Sequence, residues 1–117
     1  MCIRDRPLTA PAGEGNVYEL RIYRARAGMS QNWLKQFKEI MPVREKYSKN
    51  VGLWWGEAPQ PHEVAHMWAY RDANDRFATR AKVAADPAWQ RFLAEAGGCL
   101  EDMQSIFLLP TNYSPMK

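Results

Sequence analysis

The first regular pattern along the chain is an alternation of apolar and polar side chains over residues 16–24. Glu19, Arg21 and Tyr23 fall on one side of it, opposite Tyr18, Leu20 and Ile22. A period of two is typical of a β-strand whose two faces meet different surroundings. We therefore predict a first strand with two useful faces.

A helical period follows from Ser30 to about Lys49. The stripe that should face the core comprises Trp33, Phe37, Ile40, Met41 and Tyr47. Pro42 supplies no amide hydrogen, so we expect the helix to kink or restart there. The basic residues Arg44, Lys46 and Lys49 are interpreted as a solvated face of this helix.

Two segments rich in β-formers, Val51–Glu57 and Glu63–Tyr70, flank a loop with two prolines and predict a hairpin. With Glu57 opposite Glu63, Val51, Leu53 and Trp55 share a face with Ala65, Met67 and Ala69. The other face then carries Trp54, His66, Trp68 and Tyr70.

Asp72 and the pair Asp86–Pro87 are typical helix starts. The first helix should run to about Ala84, with Phe77, Ala81 and Ala84 inward. The second should bury Trp89, Phe92, Leu93 and Ala96 and end at Gly97–Gly98. A last strand is expected over Asp102–Leu109.

The order β-α-β-β-α-α-β predicts an α+β, ferredoxin-like fold with a four-stranded antiparallel sheet. We expect one domain over residues 16–110, a flexible leader at 1–15 that is non-native or disordered, and a tail at 111–117. A sheet with helices on only one face needs a partner to cover the other, which makes a homodimer the expected assembly.

The net charge of +3 is spread among acidic residues, which argues against nucleic-acid binding. Two cysteines indicate neither a disulfide framework nor a thiolate metal site, so a cytoplasmic location is expected. No apolar run reaches the roughly 20 residues of a membrane span. Only His66 and Glu19 could converge as metal ligands, so we predict no metal and no other cofactor.

Three stretches resemble the NIPSNAP family: VYELRIYR, PVREKY followed by GLWW, and HEVAHMWAYRDANDRFATRAKVAADPAWQRFL. The resemblance covers roughly Val17 to Pro110. It implies a dimeric α/β barrel in which two four-stranded sheets face each other. The better-known members are longer proteins associated with mitochondria, vesicle traffic or clearance of damaged mitochondria, so the resemblance implies the module rather than their cell biology.

In such a barrel, one sheet face would line the lumen. We expect this face to carry Glu19, Arg21, Tyr23, Trp54, His66, Trp68 and Tyr70. It could bind a small planar ligand, with Arg21 as anion anchor and His66 as the catalytic acid or base. The alternative is that these side chains simply form the dimer interface, with Glu19 and Arg21 pairing across it.

Two classes of function stay open. The first is a binding or interaction module, whose partner is a protein or a small molecule. The second is a cofactor-independent monooxygenase or isomerase acting on a small aromatic substrate, since other families of this architecture include such enzymes. That link rests on fold alone, and fold does not determine function.

Overall fold

The computed structural model describes residues 16–56, 58 and 61–114. The elements are β1 (Val17–Ala25), α1 (Ser30–Arg44), β2 (Lys49–Gly56), β3 (Glu63–Tyr70), α2 (Ala73–Ala84), α3 (Pro87–Ala96) and β4 (Leu100–Leu108), with a 3-10 turn at Gly97–Cys99. This is the predicted order and confirms the α+β fold. The predicted leader lies outside the described residues, and the domain bounds stay a prediction.

The four strands form one antiparallel sheet in the order β2-β3-β1-β4. All three helices lie on the same side of the sheet, where α1 and α2 contact it directly and α3 packs on α1. Trp33 and Phe37 of α1 pack on His66, Phe92 of α3 packs on Phe37, and α2 reaches the sheet through its Arg76. The face with Glu19, Arg21, Tyr23, His66 and Trp68 therefore lies beneath the helices. We call it the inner face, and the opposite one the outer face.

This placement corrects the predicted face. The polar strand face was expected to look away from the helices into a barrel lumen, whereas Tyr23 and His66 lie against Trp33 with ring centroids 5.5 and 6.0 Å apart. Alternation separates two faces, but it does not say which one the helices cover. Here the aromatic rings of the inner face match the aromatic stripe of α1.

The hairpin register also differs by one residue. Gly56 pairs with Glu63, so Leu53 lies opposite His66 and Trp54 lies opposite Ala65. A one-residue shift exchanges the faces of a strand. Trp54 therefore lies on the outer face, where its ring lies against Gly52, and not on the face of His66 and Trp68 as predicted.

Helix α1 ends at Arg44, five residues before the predicted end, and Lys49 already begins β2. Pro42 lies inside the last turn, and the helix continues only two residues past it. Tyr47 thus leaves the helical stripe. Its hydroxyl donates to Asp86 at 2.6 Å, which links the end of α1 to the start of α3.

Both aspartates cap their helices as predicted. Asp72 accepts from the amide of Asp75, and Asp86 accepts from that of Ala88. The inward residues differ: Phe77 is 64% exposed and Leu93 51% exposed, and Ala81 and Ala84 are exposed too. The buried residues of α2 are Thr79 and Val83, because that side faces the sheet.

Candidate functional site

A cavity of about 700 Å³ lies between the inner face of the sheet and the helices. Such a volume suits a small organic molecule. Its aromatic lining consists of Tyr23, Trp33, Phe37, Trp68, Trp89 and Phe92. The polar lining includes His66 and the three arginines Arg21, Arg44 and Arg80. Two acidic residues, Glu101 and Asp102, also line it, so the cavity is mainly apolar and carries charged groups of both signs.

His66 is fully enclosed in this lining, with 3% of its surface exposed. The indole N–H of Trp68 donates to its Nδ1 at 2.6 Å, while its Nε2 has no hydrogen-bond partner in the described part of the chain. Burial, together with the charges of Arg21 and Arg44, lowers the pKa of His66 to about 3. The ring is neutral with its proton on Nε2, and it can donate one hydrogen bond there.

Glu19 is buried beside the cavity and forms ion pairs with two arginines. Its Oε2 accepts from Arg76 at 2.7 Å, from Arg21 at 3.2 Å and from the hydroxyl of Ser105. Burial by itself would raise the pKa of Glu19, but the hydrogen bonds from Arg76 and Ser105 and the charge of Arg21 hold it at about 2. Glu19 is thus an ionised structural counter-ion.

Arg21 also orients Tyr23. Its Nε donates to the Tyr23 hydroxyl oxygen at 2.7 Å, and its guanidinium lies 5.4 Å from that ring. Because this bond uses an oxygen lone pair, the Tyr23 hydroxyl keeps its own hydrogen to donate. The pair therefore presents a positioned hydroxyl to the cavity.

Two cavity arginines were missed from the sequence. Arg44 was predicted to lie on a solvated face but is 5% exposed, and its guanidinium stacks 4.2 Å from the Trp68 ring. Arg44 follows Phe37 by seven residues and Ile40 by four, so helical spacing places it on the buried stripe of α1. Arg80 is exposed at the cavity edge, where burial of part of its side chain and the charges of Arg21 and Arg76 lower its pKa. The spacing of Arg44 from Phe37 and Ile40 was a signal for its burial that the sequence interpretation overlooked, whereas Arg80 carries no such signal.

The structure brings together four of the predicted site residues as cavity lining: Arg21, Tyr23, His66 and Trp68. Glu19 and Tyr70 are on the same sheet face but outside the cavity lining, and Tyr70 accepts a hydrogen bond from Arg44. Trp54 lies on the other side of the sheet. Among the described residues, no three His, Cys, Asp or Glu side chains are grouped to hold a metal. No helix in this part of the chain is long and apolar enough to cross a membrane.

Fold and cavity together define a ferredoxin-like α+β domain with a ligand-sized space between sheet and helices. The NIPSNAP family model matches residues 18–115. The chain belongs to the NIPSNAP family.

A solved structure of the family has the same fold, and longer relatives match in sequence. A NIPSNAP domain protein from Burkholderia xenovorans has a crystal structure that is 33% identical, with a TM-score of 0.80, covering 85% of this chain and 98% of that one. The protein NipSnap homolog of Dictyostelium discoideum is 29% identical over 99 residues, which are 85% of this chain and 44% of the relative. The chain thus spans less than half of that relative.

A more distant structure shows the fold alone. The putative monooxygenase of Lactobacillus acidophilus is 12% identical with a TM-score of 0.65, covering 86% of this chain and 47% of that one.

Proposed function

We propose that this NIPSNAP domain is a binding module that holds a small aromatic molecule in the cavity between its sheet and its helices. The observation that carries the proposal is the cavity of about 700 Å³, walled by aromatic rings around a buried His66 whose Nε2 is unpartnered. Buried polar groups normally have partners, and a ligand acceptor would satisfy this one.

The alternative function is a cofactor-independent monooxygenase or isomerase. Tyr23 and His66 line the same cavity, and each carries a donor hydrogen that could bind a developing enolate oxygen. Binding without turnover is favoured, because the Nδ1 lone pair of His66 is used by Trp68 and the ring acts as a donor rather than a base.

We further propose that the domain works as a homodimer. Met67, Leu20 and Ile106 form an apolar row across three strands on the outer face, and Ile106 is 41% exposed. Since the helices occupy the inner face, a second copy is the simplest cover for this one.

The cavity is tested with N-phenyl-1-naphthylamine, a neutral aromatic fluorophore. Ala84 lines the cavity on an exposed part of α2, so Ala84→Trp should fill it without disturbing the core. We expect wild type to bind the probe and Ala84→Trp to bind it about tenfold more weakly, a loss of about 1.4 kcal/mol. The matched control is Ala78→Trp, which is exposed on the same helix and outside the cavity lining. Equal binding by both variants would contradict the proposal.

A further inference from the structure

Arg44 is a buried cation without a counter-ion among residues 16–56, 58 and 61–114. It is 5% exposed, and its guanidinium donates to the hydroxyls of Ser48 and Tyr70, both neutral. The described ion pairs leave it out: they join Arg21 and Arg76 to Glu19, and Arg71 to Asp75. Burying an uncompensated charge is costly, so this arrangement calls for an anion.

The guanidinium has hydrogen-bonding capacity to spare. It carries five N–H donors, of which the two described bonds use two, so three remain. The group also stacks on aromatic rings, 4.2 Å from the centroid of Trp68 and 5.8 Å from that of Trp89. A planar, stacked guanidinium with free donors is well suited to bind a carboxylate through two parallel hydrogen bonds.

His66 supplies a second donor beside the same tryptophan. Arg44 lies over the Trp68 ring, and His66 accepts from the Trp68 indole N–H, so both side chains are positioned by one residue. The neutral histidine adds the Nε2–H donor and no charge. An anion bound over Trp68 would therefore meet one guanidinium and one neutral donor, and a single guanidinium matches a single carboxylate.

We propose that the ligand of the cavity is an aromatic monocarboxylate, with its carboxylate on Arg44 and its ring among Phe37, Trp89 and Phe92. The inference rests on the proposed binding function and names the class of ligand. The centroids of the three rings lie 4.9 to 6.5 Å from one another in tilted and edge-on pairs, and this aromatic cluster favours an aromatic ligand body.

The test compares 1-naphthoate with its neutral isostere 1-naphthamide by isothermal titration calorimetry. The wild type should bind the acid about tenfold or more tightly than the amide, as expected for hydrogen bonds to a charged group. Arg44→Met should abolish this preference, and Arg44→Lys should reduce it. Arg91→Met removes an exposed arginine of α3 outside the cavity lining, and should keep the preference in full.

Equal affinity of wild type for acid and amide would overturn the inference while leaving the binding function intact. A preference for the acid that survives Arg44→Met would overturn the role of Arg44. Tighter binding of 1-naphthyl phosphate than of 1-naphthoate would overturn the assignment of the ligand as a monocarboxylate. If neither naphthyl probe binds, the inference fails, and the comparison of Ala84→Trp with Ala78→Trp judges the binding function separately. The wild-type comparison needs no variant, so a poorly folded Arg44→Met does not weaken the test.

Discussion

Individual side chains of the inner face show how strongly burial changes the chemistry of a residue. From the sequence, His66 was a candidate acid or base because an ordinary imidazole titrates near neutrality. In the folded chain it lies among aromatic rings and accepts from Trp68, which makes it a neutral donor. Arg44 changes in the opposite sense, from an ordinary surface charge to a buried cation that needs an anion.

The lowered pKa of His66 predicts that the folded protein loses stability as the pH falls from 7 to 5. The folded pKa of about 3 lies below the ordinary value of 6.5, so the unfolded chain binds the proton first as the pH falls. The neutral His66 ring makes its full contribution to stability above pH 6.5. This contribution declines as the pH falls from 6.5 to about 3. We expect the free energy of unfolding to decrease by about 2 kcal/mol between pH 7 and pH 5, measured by urea denaturation.

His66→Gln should remove most of this decrease. The control is His62→Asn, which changes the other histidine and uses a residue that tolerates its φ of 61°. Glu19, with a pKa of about 2, contributes a loss of stability only below its ordinary value of 4.5, outside this pH range. An unchanged decrease in His66→Gln would contradict the assignment.

Whole strands and helices were predicted better than their orientations. The aspartate caps at Asp72 and Asp86 are local signals, and they located the starts of α2 and α3 correctly. The rotation of α2 depends on contacts with the sheet, among them the ion pair from Arg76 to Glu19, 57 residues apart along the chain. No local pattern could show that Thr79 and Val83, rather than Phe77, face inward.

Two leucines provide a direct test of these orientations. Leu53 of β2 is 1% exposed in the core, whereas Leu93 of α3, predicted to be inward, is 51% exposed. We expect Leu53→Ala to destabilise the fold by about 2 to 5 kcal/mol, because it leaves a cavity. Leu93→Ala should cost less than about 1 kcal/mol. Thermal or urea unfolding of the two variants measures the difference, and equal losses would refute the described rotation of α3.

At the level of the whole molecule, the uncovered outer face predicts association. Ile106→Glu would place a charge in the apolar row formed with Leu20 and Met67, and should convert a dimeric wild type into a monomer. Size-exclusion chromatography with light scattering measures the mass directly. Leu93→Glu is the matched control, since it adds the same charge on α3, and should remain dimeric. A monomeric wild type would contradict the proposal.

The order of elements, the helix caps and the two-faced character of β1 were all decided locally, by spacing and by the hydrogen-bonding needs of short segments. The family could also be recognised from the sequence, because each of its motifs is one contiguous stretch of the chain. The face beneath the helices and the register of the β2–β3 hairpin were decided only in the folded chain. They depend on contacts between residues distant in sequence, and a shift of one residue in β2 was enough to move Trp54 to the other side of the sheet.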